Sequence, residues 1–266
     1  SLSPLKEINK CMKEISEGKW NTKVNVTSKD ELADIGKGFN TMTDKINRYV
    51  SSFVSLSQEY LKFVPSGLFK LLGKSKISEI SLDDRGVNKI SILSISFDVK
   101  EENYLTFSGI DDYFQGINQK YIRLFDIVKA NNGVVEKFDA FGMTVIFSDN
   151  AFDAVSASMQ FVDQLTENSA KNNFRIGLGT ANATVGVMGN NSRMSITVMS
   201  EELILMEYAS RCLSKMQISH FAMQSMIDEI QNNSGFSNYR FIGQIKHPKQ
   251  DKPIKIYEFI NARNLY

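Results

Sequence analysis

Residues 133–147 read Gly-Val-Val-Glu-Lys-Phe-Asp-Ala-Phe-Gly-Met-Thr-Val-Ile-Phe. Two apolar runs, Val134-Val135 and Met143 with Val145–Phe147, flank a short break, Asp139-Ala140-Phe141-Gly142. The pattern predicts a β-hairpin whose turn uses Gly142 at positive φ. A carboxylate near the tip, Asp139, suggests a metal ligand or a general base. An ordinary solvated turn aspartate is the simpler account. The fold around the hairpin decides between them.

Working outward, Lys89–Phe97 is an apolar-rich strand. Leu105–Ala130 is an amphipathic helix with Ile110, Phe114, Ile117, Tyr121, Leu124, Phe125 and Val128 on one side. Beyond the hairpin come a helix at Ala151–Leu165 and strands at Phe174–Leu178 and Thr184–Val187, separated by Gly179-Thr180-Ala181-Asn182. A helix at Glu201–Met216 and strands at Tyr239–Ile245 and Pro253–Ile260 follow. Residues 89–178 therefore run β-α-β-β-α-β, a ferredoxin-like unit, and the fold class is α/β (α+β).

Composition narrows the function classes. In 266 residues, 42% apolar content and four prolines describe a folded chain. With 31 basic and 30 acidic residues, no global field draws in nucleic acid or anionic lipid. Cys11 and Cys212 stand far apart in no metal spacing, which fits a reducing compartment without disulfides. No apolar run approaches the ~18 residues of a membrane span, so the chain as given is expected to be soluble. His220 and His247 lie near no nucleophile pattern, which excludes triad hydrolysis. The glycines of residues 177–189 form no Walker or dinucleotide loop and read as turn glycines.

The N-terminal third reads as a rod. Pro4 can start a helix bearing Leu5, Ile8, Met12 and Ile15, which ends near Gly18. An extended connector with alternating Val24 and Val26 follows, and Ser28 and Asp30 can cap a second helix. Apolar residues then recur at Leu32, Ile35, Phe39, Met42, Ile46, Tyr49, Phe53, Leu56, Tyr60 and Phe63, alternating spacings of three and four for more than four heptads. A single surface helix drifts by ~20° per heptad against such a repeat, so the ten residues are expected to form the seam of a parallel homodimer. The helix would run roughly 48 Å at 1.5 Å per residue.

A short helix beginning at proline, an extended connector and the stretch 30–46, with Asp30-Glu31, Phe39-Asn40 and Met42 at motif positions, resemble a HAMP linker. The resemblance implies a parallel four-helix bundle in a dimer. It also implies a place on the cytoplasmic side of the cell membrane, directly after a transmembrane helix of a parent receptor. Pro65 and Gly67 break the rod, and a short helix Leu68–Leu72 and a strand-like Ile77–Leu82 follow. The expected domains are a HAMP unit at 1–48, a coiled-coil connector at 49–75 and a large domain at 76–266.

The large domain resembles a class III adenylate/guanylate cyclase homology domain. The residues that carry the likeness are the apolar first strand, Asn132-Gly133 before the hairpin, Phe174–Gly179, Gly186 and Gly189, Ile196-Thr197-Val198 and the closing Ile256–Phe259. That family holds two divalent ions on two aspartates, which activate the ribose oxygen and neutralise the triphosphate. The resemblance places those positions at Ser96 and Phe141. It places the family's ribose-orienting Asn and transition-state Arg at Ile204 and Tyr208. None of the four residues supplies the required group, so no catalytic residue and no cofactor is expected. Base-recognition positions fall on Lys137 and Thr197, and Lys246 is a candidate phosphate-binding lysine. A relocated metal pair, Asp98 and Asp139, sits two residues from each lost position, on the same strand face.

The expected function is a cytoplasmic signal-transducing part of a membrane receptor, with a HAMP relay driving a degenerate cyclase-homology output. Its partners would be a second copy of itself and another cyclase or signalling protein. The alternatives are an active cyclase using Mg or Mn through altered ligands, and a non-catalytic nucleotide sensor.

Overall fold

The computed structural model describes residues 3–25, 31–98, 107–148, 150–166, 173–216, 218–234, 238–249 and 251–260. The chain divides into two compact units, residues 1–64 and 65–266. Residues 49–64 thus belong with the first unit and 65–75 with the second. No helix among the described residues is long and apolar enough to cross a membrane.

The first unit holds α1 (Ser3–Ser16) and the 31-residue α2 (Glu31–Leu61). Helix α1 stops at Gly18, whose φ of 89° is a left-handed value that ends helices cheaply only at glycine. Ile8, Cys11, Val24 and Phe39 form its small core, with Ile15 packed against it. Asn40 clamps the connector in the manner of a strand partner. Its Nδ2 donates to the Val24 carbonyl at 2.9 Å, and its Oδ1 accepts the Val24 amide at 2.9 Å. The capping positions Ser28 and Asp30, and Val26, lie outside the described residues.

The heptad seam divides in two. Phe39 is buried within its own chain, because it packs with Ile8 and Cys11 of α1 and with Val24. Further along, the seam residues are exposed among the described residues, with Phe53 and Phe63 at 73% and 86%. Phe63 falls just beyond α2, in a turn where its amide bonds to the Tyr60 carbonyl at 3.1 Å.

The second unit opens with a 3-10 turn, Ser66–Leu72, that buries Leu68 and Phe69. A further 3-10 turn, Ile77–Glu79, stands where a strand was expected. The Glu79 carboxylate accepts the amides of Ser75 (2.9 Å) and Lys76 (3.4 Å), which curls the segment instead of extending it. Then come β1 (Arg85–Phe97), α3 (Phe107–Ala130), β2 (Val134–Asp139), β3 (Gly142–Phe147), α4 (Ala151–Thr166) and β4 (Phe174–Asn190). These are the β-α-β-β-α-β unit. β5 (Arg193–Met199), α5 (Glu201–Leu213), β6 (His220–Met223), α6 (Gln224–Ser234), β7 (Tyr239–Ile245) and β8 (Ile254–Phe259) complete it.

The sheet order is β2-β3-β1-β4-β6-β8-β7, with β5 paired to β4. β4 runs without a break through residues 179–182, because β1 pairs with it from Arg85↔Gly186 to Phe97↔Phe174. Gly179 is a packing glycine there. A Cβ would meet the Met206 sulfur at 2.7 Å and Glu202 Cγ at 2.8 Å. β6 and α6 escape sequence reading because a four-residue strand buried at every position shows no alternation. The main core joins α3, α4 and α6 to one sheet face. Helix α5 packs against β4 and β1 on the face that carries Ser96.

Candidate functional site

The hairpin turns at Ala140-Phe141, and Gly142 is not at positive φ. Glycine is required there by close approach, since a Cβ would stand 2.2 Å from the Ile95 carbonyl oxygen. Asp139 caps the turn, with Oδ1 accepting the amides of Phe141 (2.7 Å) and Gly142 (3.2 Å). Two tyrosines of α3 hold the same turn. Tyr113 donates to the Ala140 carbonyl at 2.6 Å, and the Tyr121 hydroxyl lies 2.7 Å from the carbonyl oxygens of both Asp139 and Gly142. The Phe141 carbonyl accepts the Phe97 amide at 2.7 Å, while its ring is 63% exposed.

Ser96 sits opposite Gly142 on β3 and Arg175 on β4. Its hydroxyl is 3.1 Å from that of Ser210 on α5. Arg175 is the residue sequence reading passed over. Its guanidinium forks onto Asp98, with Nη1–Oδ2 and Nη2–Oδ1 both 2.6 Å, and Nε donates to Ser210 Oγ at 3.2 Å. An arginine in an apolar strand needs a buried or half-buried partner, and that was the available signal.

These residues do not fit a pair of divalent ions. Phe141 has no donor atom, the Ser96 hydroxyl is engaged, Asp139 caps a turn, and both Asp98 oxygens face a guanidinium. No cluster of three His, Cys, Asp or Glu suited to a metal occurs among the described residues.

Ile204 and Tyr208 lie one turn apart on α5. Ile204 is 61% exposed. Tyr208 donates to the Lys246 carbonyl at 3.2 Å, and its ring meets that of His247 edge-on, centroids 4.6 Å apart. Thr197 faces a cavity of about 470 Å³ walled by Leu82–Arg85 and floored by Thr184, Gly186, Met188 and Met199. Lys137, exposed on β2, does not line it. Beside Lys137, at a bulge in β2, is Glu136. Its Oε1 accepts the Val198 amide at 3.4 Å, and its buried Oε2 has no hydrogen-bond partner among the described residues. Burial pushes its carboxyl above the usual range. Glu202 is raised for the same reason and accepts a hydrogen bond from Ser225.

Residues 1–48 match the family model of the HAMP domain. Solved structures similar to this chain include nucleotide cyclases. A bacterial light-regulated adenylyl cyclase is 14% identical with a TM-score of 0.67, covering 82% of this chain and 65% of that one. The adenylyl cyclase CyaB from P. aeruginosa is 18% identical with a TM-score of 0.52, covering 68% and 98%. A guanylyl cyclase is 16% identical with a TM-score of 0.53, covering 67% and 94%. Residues 1–48 are a HAMP domain, and the chain carries the adenylyl/guanylyl cyclase fold. No curated protein matches the chain. At these identities the likeness to cyclases is one of fold, and the side chains above must decide the chemistry.

Proposed function

We propose that this chain is the cytoplasmic signalling part of a membrane receptor. In it a HAMP dimer relays a conformational change to a cyclase-fold output domain that has lost catalysis. The observation that carries the loss is the occupancy of the two metal positions by Ser96 and Phe141, with the nearby Asp98 committed to Arg175. Phosphoryl chemistry without ions or substitute cations at the triphosphate lacks its main electrostatic stabilisation. On α5, Ile204 and Tyr208 stand where the family carries its ribose-orienting Asn and its transition-state Arg, and neither supplies that group. The output is then a contact with another protein or altered pairing with a competent cyclase.

The relay rests on the uncovered seam of α2. Tyr49, Phe53, Leu56 and Tyr60 repeat at heptad spacing and stand exposed in a single chain. Burying them against a second copy gives a continuous rod along which rotation or shift is transmitted. The full chain is expected to sediment as a dimer, and Phe53→Glu with Leu56→Glu as a monomer. A wild-type chain that sediments as a monomer at micromolar concentration contradicts the relay.

The cavity beside Thr197 favours a second reading, a nucleotide sensor without turnover. A thermal shift with a nucleotide, absent in Thr197→Val, supports it. No shift with any nucleoside triphosphate, with or without Mg²⁺, removes it.

A further inference from the structure

We propose that the Arg175 guanidinium is a resident cation that excludes divalent metal from the end of β1. The inference rests on the non-catalytic reading above and adds the group that enforces it. Arg175 is 11% exposed, and its two terminal nitrogens face the two Asp98 oxygens at 2.6 Å each. Its Nε donates to Ser210 at 3.2 Å, and the Ser210 hydroxyl is 3.1 Å from that of Ser96. Four side chains thus join the end of β1, β4 and α5 in one network, in which the guanidinium is the cation among the described residues.

The planar fork matches the carboxylate geometry and occupies both of its oxygens. An arriving ion would have to break both bonds and then sit beside the positive charge it displaced. Without the guanidinium, the space it spans is bounded by the Asp98 carboxylate at one end and the hydroxyls of Ser210 and Ser96 at the other, all hard oxygen donors. Mg²⁺ and Mn²⁺ accept such donors and keep water in their remaining positions. Arg175 therefore covers a weak cation site that appears only when the guanidinium is gone.

A merely structural role for Arg175, bracing β4 against β1 and α5, predicts something different. Lysine keeps the charge but cannot form the fork. As a brace it would fail much as methionine does, whereas as an excluding charge it would still keep metal away.

The test is Mn²⁺ titration of the full chain, read by the electron paramagnetic resonance signal of free ion. Wild type and Arg175→Lys are expected to leave Mn²⁺ free up to about 1 mM, the range of weak oxygen-ligand sites. Arg175→Met and Arg175→Gln are expected to bind one ion per chain in that range, and to lose it when Asp98→Asn is added. Wild-type binding that Asp98→Asn removes overturns the proposal, as does binding by Arg175→Lys equal to that of Arg175→Met. Folded Arg175→Met and Arg175→Gln chains that bind no Mn²⁺ overturn it too. If neither variant folds alone, refolding in Mn²⁺ gives the answer. Recovery that depends on Asp98 supports the proposal, and no recovery contradicts it. Cyclic nucleotide formation by wild type would remove the non-catalytic reading without altering the Mn²⁺ result.

Discussion

The imidazole Nε2 of His220 lies 3.1 Å from the hydroxyl of Ser158, and both residues are buried. Ser158 donates its proton to the Val155 carbonyl at 2.7 Å, so the imidazole is the donor between them. The Phe259 ring, 5.6 Å away, closes the site. Burial disfavours the charged ring and lowers its pKa to about 4. The unfolded chain binds this proton near 6.5 and the folded chain does not, so stability is complete above that pH and falls as pH drops toward 4. Between pH 7 and 5 the loss is about 2 kcal/mol at 1.36 kcal/mol per unit. Glu136 and Glu202, with raised pKa values, act in the opposite sense. Denaturant unfolding of wild type and His220→Gln at both pH values isolates the imidazole. Equal pH dependence in the two proteins contradicts the assignment.

Tyr121 fixes the hairpin turn through the carbonyls of Asp139 and Gly142. Burial raises its phenol pKa, so it remains a protonated donor across the accessible range. Tyr121→Phe is expected to cost about 1–2 kcal/mol, the value of a buried hydrogen bond whose acceptors are left unpaired. Hydrogen exchange should quicken at Phe141 and Gly142, whose amides report on the turn. An unchanged exchange pattern argues against the clamp.

In the HAMP unit the clamp is Asn40, which holds both backbone groups of Val24. Asn40→Ala is expected to destabilise that unit by about 1–2 kcal/mol. Trp20, the single tryptophan, lies in the connector and makes its fluorescence a local reporter. An Asn40→Ala chain whose Trp20 transition matches wild type shows that the clamp contributes nothing.

Much of this was legible in the sequence, for reasons specific to each element. The hairpin, the order of the β-α-β-β-α-β unit and the HAMP unit follow from apolar period and motif spacing. The misses share a physical origin, because period reports which face is buried and not what the polar atoms do. Glu79 curls 77–79 by accepting two amides, and Gly142 answers to the Ile95 carbonyl rather than to φ. Phe39 fits the heptad yet packs against α1, since seam and intrachain core share one helix. In the candidate site, Ser96, Phe141, Ile204 and Tyr208 could be placed by resemblance. The fork of Arg175 on Asp98 joins residues 77 apart, so an arginine in an apolar strand signals a partner while local pattern does not say which residue it is.

Restoring carboxylates separates ion binding from chemistry. Ser96→Asp with Phe141→Asp is expected to bind Mn²⁺ below about 1 mM, where wild type does not, because two added carboxylates outweigh the single charge of Arg175. Nucleotide turnover should still be absent, because Ile204 and Tyr208 supply neither the amide nor the guanidinium that the family uses there. Isothermal titration with Mn²⁺ and a coupled turnover assay read the two effects separately. Turnover by this double variant would show that the α5 positions are dispensable.

The central claim is that a cyclase fold here carries no cyclase chemistry. Purified wild-type chain, at dimer-forming concentration, should be incubated with ATP or GTP and with Mg²⁺ or Mn²⁺, and the products separated chromatographically. The account predicts no cyclic AMP or cyclic GMP above a no-protein control. Metal-dependent formation of either product, abolished by Asp98→Asn or Asp139→Ala, would contradict it.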